Sequence, residues 1–278
     1  MTGKSRRSVL ITGCSSGIGF VAAKELAARG YRVFATARHD ADVETLRAEG
    51  LNALPLDLDD PASIPVALES ILVQSGGELF ALINNAAFAM PGAVEDLDRA
   101  ALRAQFETNV FGTLDLTRRV IPVMRRQGHG RIVTISSILG LVAMPWRGAY
   151  NASKFALEGF IDTLRMELHG SGIFVSTINP GAIETRFRKN AIHAADSHVD
   201  LKASLHREQY TRMRRFAEDA AGRMPGSAPP AAVVRPIVHA LEAARPRRRY
   251  FVTAGARVLY ALKLLLPGAI LDAVLRRL

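Results

Sequence analysis

One cysteine, Cys14, stands among 278 residues, which excludes an internal disulfide framework and any zinc site built on paired cysteines. No metal is expected, and a reducing, cytoplasmic setting is the expected location. Aromatic residues are scarce at 6 %, with a single tryptophan. No aromatic-interleaved basic motif or recognition helix accompanies the positive charge, so no nucleic-acid partner is expected. Pro-, Gly- or Ser-rich tracts and internal repeats are missing, and 49 % apolar with 22 % charged residues excludes disorder and low-complexity assembly. Long hydrophobic runs are missing too. Lys4, Arg6 and Arg7 precede only Val9, Leu10 and Ile11 before Thr12, far short of the roughly 7–15 apolar residues of a secretory core. A first β-strand is expected there, with the mature chain beginning where the sequence begins.

Positive charge is present but local. Of the net +10, residues 186–249 carry +8, with 14 basic and 6 acidic side chains. The rest of the chain is nearly balanced.

Short runs rich in Val, Ile, Leu, Phe or Thr at residues 8–12, 31–36, 52–56, 79–84, 131–136, 173–179 and 249–253 predict seven strands. Their near-continuous apolar character suits a parallel sheet buried on both faces. Helical periodicity fills residues 17–29, 61–74, 98–126 and 150–169, with Pro61 after Asp59-Asp60 predicted in a first helical turn. Strand–helix alternation predicts an α/β, doubly wound, Rossmann-like sheet with helices on both faces. The length suits one such domain over residues 1–278.

The first strand runs into Thr12-Gly13-Cys14-Ser15-Ser16-Gly17-Ile18-Gly19 and then a helix. Glycines there permit a tight turn and bring a pyrophosphate to the helix N-terminus. Tyr150 and Lys154 stand at i and i+4, one above the other on a helix face. An ammonium nearby would bring a phenol, ordinarily near pKa 10, towards working range as a base. Ser137 lies just beyond the fifth strand, where its hydroxyl could hold a substrate carbonyl against the phenol. Strand alternation sends Ser136 and Ser137 to opposite faces, so only one of the two can serve.

These motifs, in this order over roughly residues 12–185, resemble the short-chain dehydrogenase/reductase family. The wording of the glycine loop, the end of the second strand and the carboxyl-terminal extension are most similar to its hydroxysteroid and retinol dehydrogenase-like branch. The resemblance implies Asn109, Ser137, Tyr150 and Lys154 as the catalytic set. In it Asn109 bends its helix and holds a water that relays protons to the lysine. It also implies cofactor contacts at Gly13, Ser15, Ser16, Gly17, Ile18, Gly19, Asp57, Leu58, Asn84, Ala86, Tyr150, Lys154, Pro180, Gly181, Ile183 and Thr185, and substrate contacts at Ser137 and Tyr150. Ala87 departs from the family's usual glycine, and its methyl could crowd the backbone beside the cofactor.

Cofactor choice turns on the end of the second strand, where an acid would meet a ribose 2′-OH and an arginine a 2′-phosphate. Ala37 takes the acid's place and Arg38 follows, which favours NADP(H) over NAD(H); Asp40 keeps NAD(H) open. The expected activity interconverts an alcohol and a ketone or aldehyde on a lipophilic small molecule. The alternatives are a 3-oxoacyl thioester reductase and a non-catalytic nucleotide sensor.

Residues 186–225 are expected to form a helical lid with arginines outward and Met213, Phe216 and Met224 inward. The long helices at 98–126 and 150–169 resemble those that pair subunits in the family, which implies a homodimer or homotetramer. Residues 255–278 form an apolar extension broken by Lys263, Pro267-Gly268 and Asp272, too interrupted for the roughly 18 residues of a spanning helix. It is open to docking on the core, covering the substrate mouth, joining subunits or peripheral membrane contact. The pocket formed by residues 137–146 and the lid leaves substrate identity open.

Overall fold

The computed structural model describes residues 7–200, 204–218 and 226–277. Seven short strands form one parallel sheet: β1 (Ser8–Ile11), β2 (Arg32–Ala37), β3 (Asn52–Pro55), β4 (Ala81–Asn84), β5 (Gly130–Ile135), β6 (Ile173–Asn179) and β7 (Arg249–Phe251). Their order is β3-β2-β1-β4-β5-β6-β7. Register is fixed by pairs such as Leu10 with Phe34 and Leu10 with Leu82.

Both faces are covered, which is why the strands read as unbroken apolar runs. On one face lie α1 (Gly17–Ala28), α2 (Asp40–Ala48) and α9 (Ala231–Glu242), packed through Leu26, Leu46 and Ile237. On the other lie α3 (Ser63–Ser75), α5 (Thr113–Gln127) and α6 (Gly148–Glu167), packed through Ile71, Leu116 and Ile161. Each such fully buried side chain contributes about 2 kcal/mol. Chain direction across the sheet reverses between β1 and β4, the switch point where α/β sheets open a ligand crevice.

Two helix expectations need correction. Pro61 precedes α3 rather than opening it. The Asp60 side chain accepts from the Ala62 N–H at 2.9 Å and its carbonyl from the Ser63 N–H at 3.1 Å, so a turn occupies the place of a first helical turn. The helix expected over 98–126 is capped by Asp98, which accepts from Ala101 N–H at 2.7 Å. It is then divided into α4 (Arg99–Phe106), a π-helical segment (Glu107–Gly112) and α5. Gly112, at the end of that segment, lies against Leu58: a Cβ there would collide with the Leu58 carbonyl.

The segment expected to form the lid contains α7 (Phe187–His198) and α8 (Arg207–Glu218). Met213 is half-buried, but Phe216 is exposed, with the Arg188 guanidinium 5.1 Å from its ring centroid. The inward placement expected for Phe216 is therefore wrong, and Tyr210 is the buried aromatic of α8. Met224 lies outside the described residues. The carboxyl-terminal extension folds as α10 (Ala254–Leu265) and α11 (Gly268–Leu275), docked on residues 138–142. No described helix is long and apolar enough to cross a membrane.

Candidate active site

The turn after β1 is shaped by close packing. Gly13 sits at φ +70°, and a Cβ there would lie 2.7 Å from the Ala86 Cα; at Gly19 it would collide with the Gly13 carbonyl. Gly17, at φ +61°, faces the Thr185 side chain. Thr12 Oγ1 accepts from the Asn85 and Ala86 N–H groups, each at 2.9 Å. The Asn85 amide donates to the Thr12 and Gly13 carbonyls at 2.8 and 2.9 Å. Thr12 and Asn85 thus lock the loop, a role that spacing alone could not assign. Ser16 is the N-cap of α1 but makes no side-chain cap, and the first turn carries no acid. Uncapped N–H groups over a glycine cradle fit the pyrophosphate of a dinucleotide.

Around this cradle, Arg38 is exposed at the end of β2 beside buried Ala37, and Asp40 opens α2. Asp57 accepts from the Asp59 N–H at 3.1 Å, and Leu58 is buried against Gly112. Gly181 lies against Thr253, the Pro180 carbonyl accepts from Ile138 N–H at 2.9 Å, and Ile183 packs on the core. The Asn84 side-chain amide is turned into the sheet, donating to Thr117 at 2.9 Å and Thr134 at 3.5 Å. Any contact it makes with a cofactor falls to its backbone. Trp146, at φ 63°, is the non-glycine residue of positive φ among those described, so Ala87 keeps an ordinary backbone.

The crevice floor is built by β5 and α6. Ser137 Oγ accepts from the Leu139 N–H at 3.0 Å, which leaves its own O–H free to donate. Burial pushes the Tyr150 hydroxyl up to about 12, while hydrogen bonding with Ser137 and the charge of Arg147 work against that rise. The Phe187 ring closes on Tyr150 edge-on at 5.7 Å. One turn on, Lys154 donates to the Ile135 carbonyl at 3.1 Å, with its ammonium 5.8 Å from the Tyr150 ring centroid. Burial brings that lysine down to about 8, and Glu158 opposes the fall. Arg147, at the N-cap of α6, is thus a second cation beside the phenol, and sequence reasoning did not single it out. Ser136 is buried beside Gly140, its hydroxyl without a hydrogen-bond partner.

Asn109 sits in the π-helical segment. Its amide donates to Phe88 O and Ser153 Oγ, both at 3.0 Å, and accepts from Phe88 N–H at 3.1 Å. Both amide hydrogens are therefore committed, and the side chain clamps residue 88 to α6. A further unpredicted contact is Arg186, which donates to the Ser15 carbonyl of the glycine loop at 3.3 Å.

Comparison with known proteins agrees with this geometry. The profile of the family described as short chain dehydrogenase matches residues 7–196. The chain is 40 % identical over 277 residues to the uncharacterized oxidoreductase YbbO of Escherichia coli strain K12, covering 99 % of this chain and 97 % of that protein. It is 41 % identical over 191 residues to human retinol dehydrogenase 8, covering 65 % and 60 % of the two chains. A crystal structure of a short-chain dehydrogenase from Streptomyces avermitilis superposes with a TM-score of 0.79 at 29 % identity, over 98 % of this chain and 94 % of that one. A glycine cradle at the switch point, a serine, tyrosine and lysine gathered at the sheet's carboxyl edge, and these matches together place the chain in the short-chain dehydrogenase family of oxidoreductases.

Proposed function

We propose that this chain is an NADP(H)-dependent oxidoreductase, organised as one domain, that interconverts an alcohol and a ketone or aldehyde on a lipophilic small molecule. The observation that carries the reading is the Ser137–Tyr150 pair above the buried Lys154. Ser137, its lone pair engaged by Leu139, donates its O–H to the substrate oxygen. Tyr150 gives its hydroxyl proton to that oxygen in reduction and takes it back in oxidation. Lys154 holds positive charge beneath the phenol, and Asn109 fixes the helix that carries both. A bound nicotinamide supplies or accepts the hydride.

Arg38, exposed where an acid would select an unphosphorylated ribose, supports the phosphorylated cofactor. Lipophilic substrates are supported by likeness to a protein named for retinol. Exposed Phe111 beside α5, with Phe155, Phe160 and Met166 on α6, supports pairing of these helices in a homo-oligomer. The lone buried Cys14 suits a cytoplasmic setting.

Tyr150→Phe should lose turnover on a panel of lipophilic ketones and aldehydes while keeping the rise in thermal midpoint that NADPH produces. Undiminished turnover refutes the assignment of Tyr150. A larger thermal shift with NADH than with NADPH refutes the role of Arg38.

A further inference from the structure

The carboxyl-terminal helices are apolar on two opposite sides. Inward, Ala256, Leu271 and Leu275 pack on Ile138 and Val142, the segment that follows Ser137. Outward, Val258, Leu264, Leu265 and Ile270 remain 57, 67, 78 and 52 % exposed. Positions 258, 261 and 265 follow the three-to-four spacing of a single helix face, and all three side chains are apolar and exposed. A helix apolar all round is normally enclosed, and a contiguous exposed apolar patch marks a contact surface.

Charge decides what covers it. Arg257 and Lys263 on α10 and Arg276 and Arg277 just past the end of α11 are exposed, and Asp272 is the acid among residues 254–277. A second copy docked face to face would bring these cations against their equivalents. An anionic lipid surface satisfies the leucines and the cations together. Length is consistent with lying in the interface, because α10 has 12 residues and α11 has 8, against about 20 for a span.

We infer that α10 and α11 form a platform that seats the protein peripherally on an anionic phospholipid surface. Their outer faces enter the headgroup boundary, while their inner faces pack on residues 138–142, the segment that follows Ser137. A lipophilic molecule leaving the bilayer would then meet the Ser137 end of the site without crossing bulk water. The inference concerns binding and stands apart from turnover.

The test is co-sedimentation of the full chain with phosphatidylcholine vesicles with and without phosphatidylglycerol, at low and high salt. Binding is expected with phosphatidylglycerol at low salt, weakening as salt rises. The double variant Leu264→Asp/Leu265→Asp should lower the bound fraction at least about tenfold with an unchanged thermal midpoint, since both side chains already face solvent. Arg276→Gln/Arg277→Gln should weaken binding to phosphatidylglycerol vesicles. Failure to sediment at low salt, or undiminished binding by the leucine variant, overturns the platform. So does a concentration-dependent dimer, seen by analytical ultracentrifugation, that the leucine variant abolishes, because the patch would then be covered by a second copy.

Discussion

Arg249 of β7 holds Glu158 of α6 in a 2.5 Å ion pair with both side chains nearly enclosed. Asn179 donates to the other carboxylate oxygen at 2.5 Å, so the charge is satisfied on both sides one turn from Lys154. Removing the cation alone leaves a buried carboxylate without its main partner, a loss of about 3–5 kcal/mol. Arg249→Met should therefore destabilise by that order in urea unfolding, and adding Glu158→Gln should recover much of it. A loss below about 1 kcal/mol for Arg249→Met would put the pair among surface ion pairs in effect.

Lys154 sets a pH dependence of stability. Burial moves it from 10.5 to about 8, so between those values the unfolded chain binds a proton that the native chain does not. Stability relative to Lys154→Met should then rise with pH across that window and level off above it. Below about 8 the charging penalty is fully present, on the order of 3 kcal/mol, and Lys154→Met should be the more stable protein while losing turnover. Chemical unfolding of both proteins from pH 7 to 11 checks the sign; a gap that does not narrow as pH rises contradicts the burial of a charged lysine.

The seven strands of a doubly wound parallel sheet and the stacking of Tyr150 with Lys154 on one helix face were legible in the sequence because each rests on local spacing, whereas the choice of Ser137 over Ser136 rested on the family resemblance. Strand runs, a strand-end serine and an i, i+4 pair need no knowledge of distant packing. The residues that sequence reasoning missed act across the fold. Arg249 and Glu158 are 91 positions apart, and Tyr210 and Asp96 are 114 apart. The Asn84 amide is likewise held across the fold, by Thr117 on α5, 33 positions away. Phe216 was misplaced because Arg188 offers an aromatic ring a partner on the outer side of the lid.

Arg147 opposes the rise that burial imposes on Tyr150. Replacing it by glutamine removes a positive charge that favours phenolate, so the Tyr150 pKa should move further up. In the oxidative direction, where the phenolate is the base, the rising limb of the kcat profile should shift to higher pH. Cofactor-induced thermal stabilisation should stay unchanged. An unshifted limb would separate Arg147 from the proton transfer.

Arg186 leans over the glycine loop through the Ser15 carbonyl, where a cation would neutralise pyrophosphate charge. Arg186→Ala should weaken NADPH and NADH alike, about tenfold each, because the pyrophosphate is common to both. Arg38→Ala should weaken NADPH selectively. Titrations that find Arg186→Ala selective for NADPH would move this guanidinium from the pyrophosphate to the ribose phosphate.

Tyr210 ties α8 to the loop that precedes α4. Its hydroxyl donates to Asp96 at 2.7 Å and accepts from the Ala93 N–H at 2.8 Å, and Ser204 donates to the same carboxylate oxygen at 2.7 Å. Nearby, His206 pairs with Glu95 and lies edge-on to Trp146, whose carbonyl accepts from Gly92 N–H at 2.9 Å. Burial, reinforced by Asp96, pushes the Tyr210 hydroxyl up to about 12, so it remains a donor throughout the neutral range. Tyr210→Phe strands the Ala93 N–H and loosens the lid without touching Ser137, Tyr150 or Lys154. The loss of about 1–2 kcal/mol should fall on substrate binding in ground and transition states alike, raising KM roughly tenfold with kcat little changed. A fall in kcat at constant KM would mean instead that this tie holds the reacting groups in place.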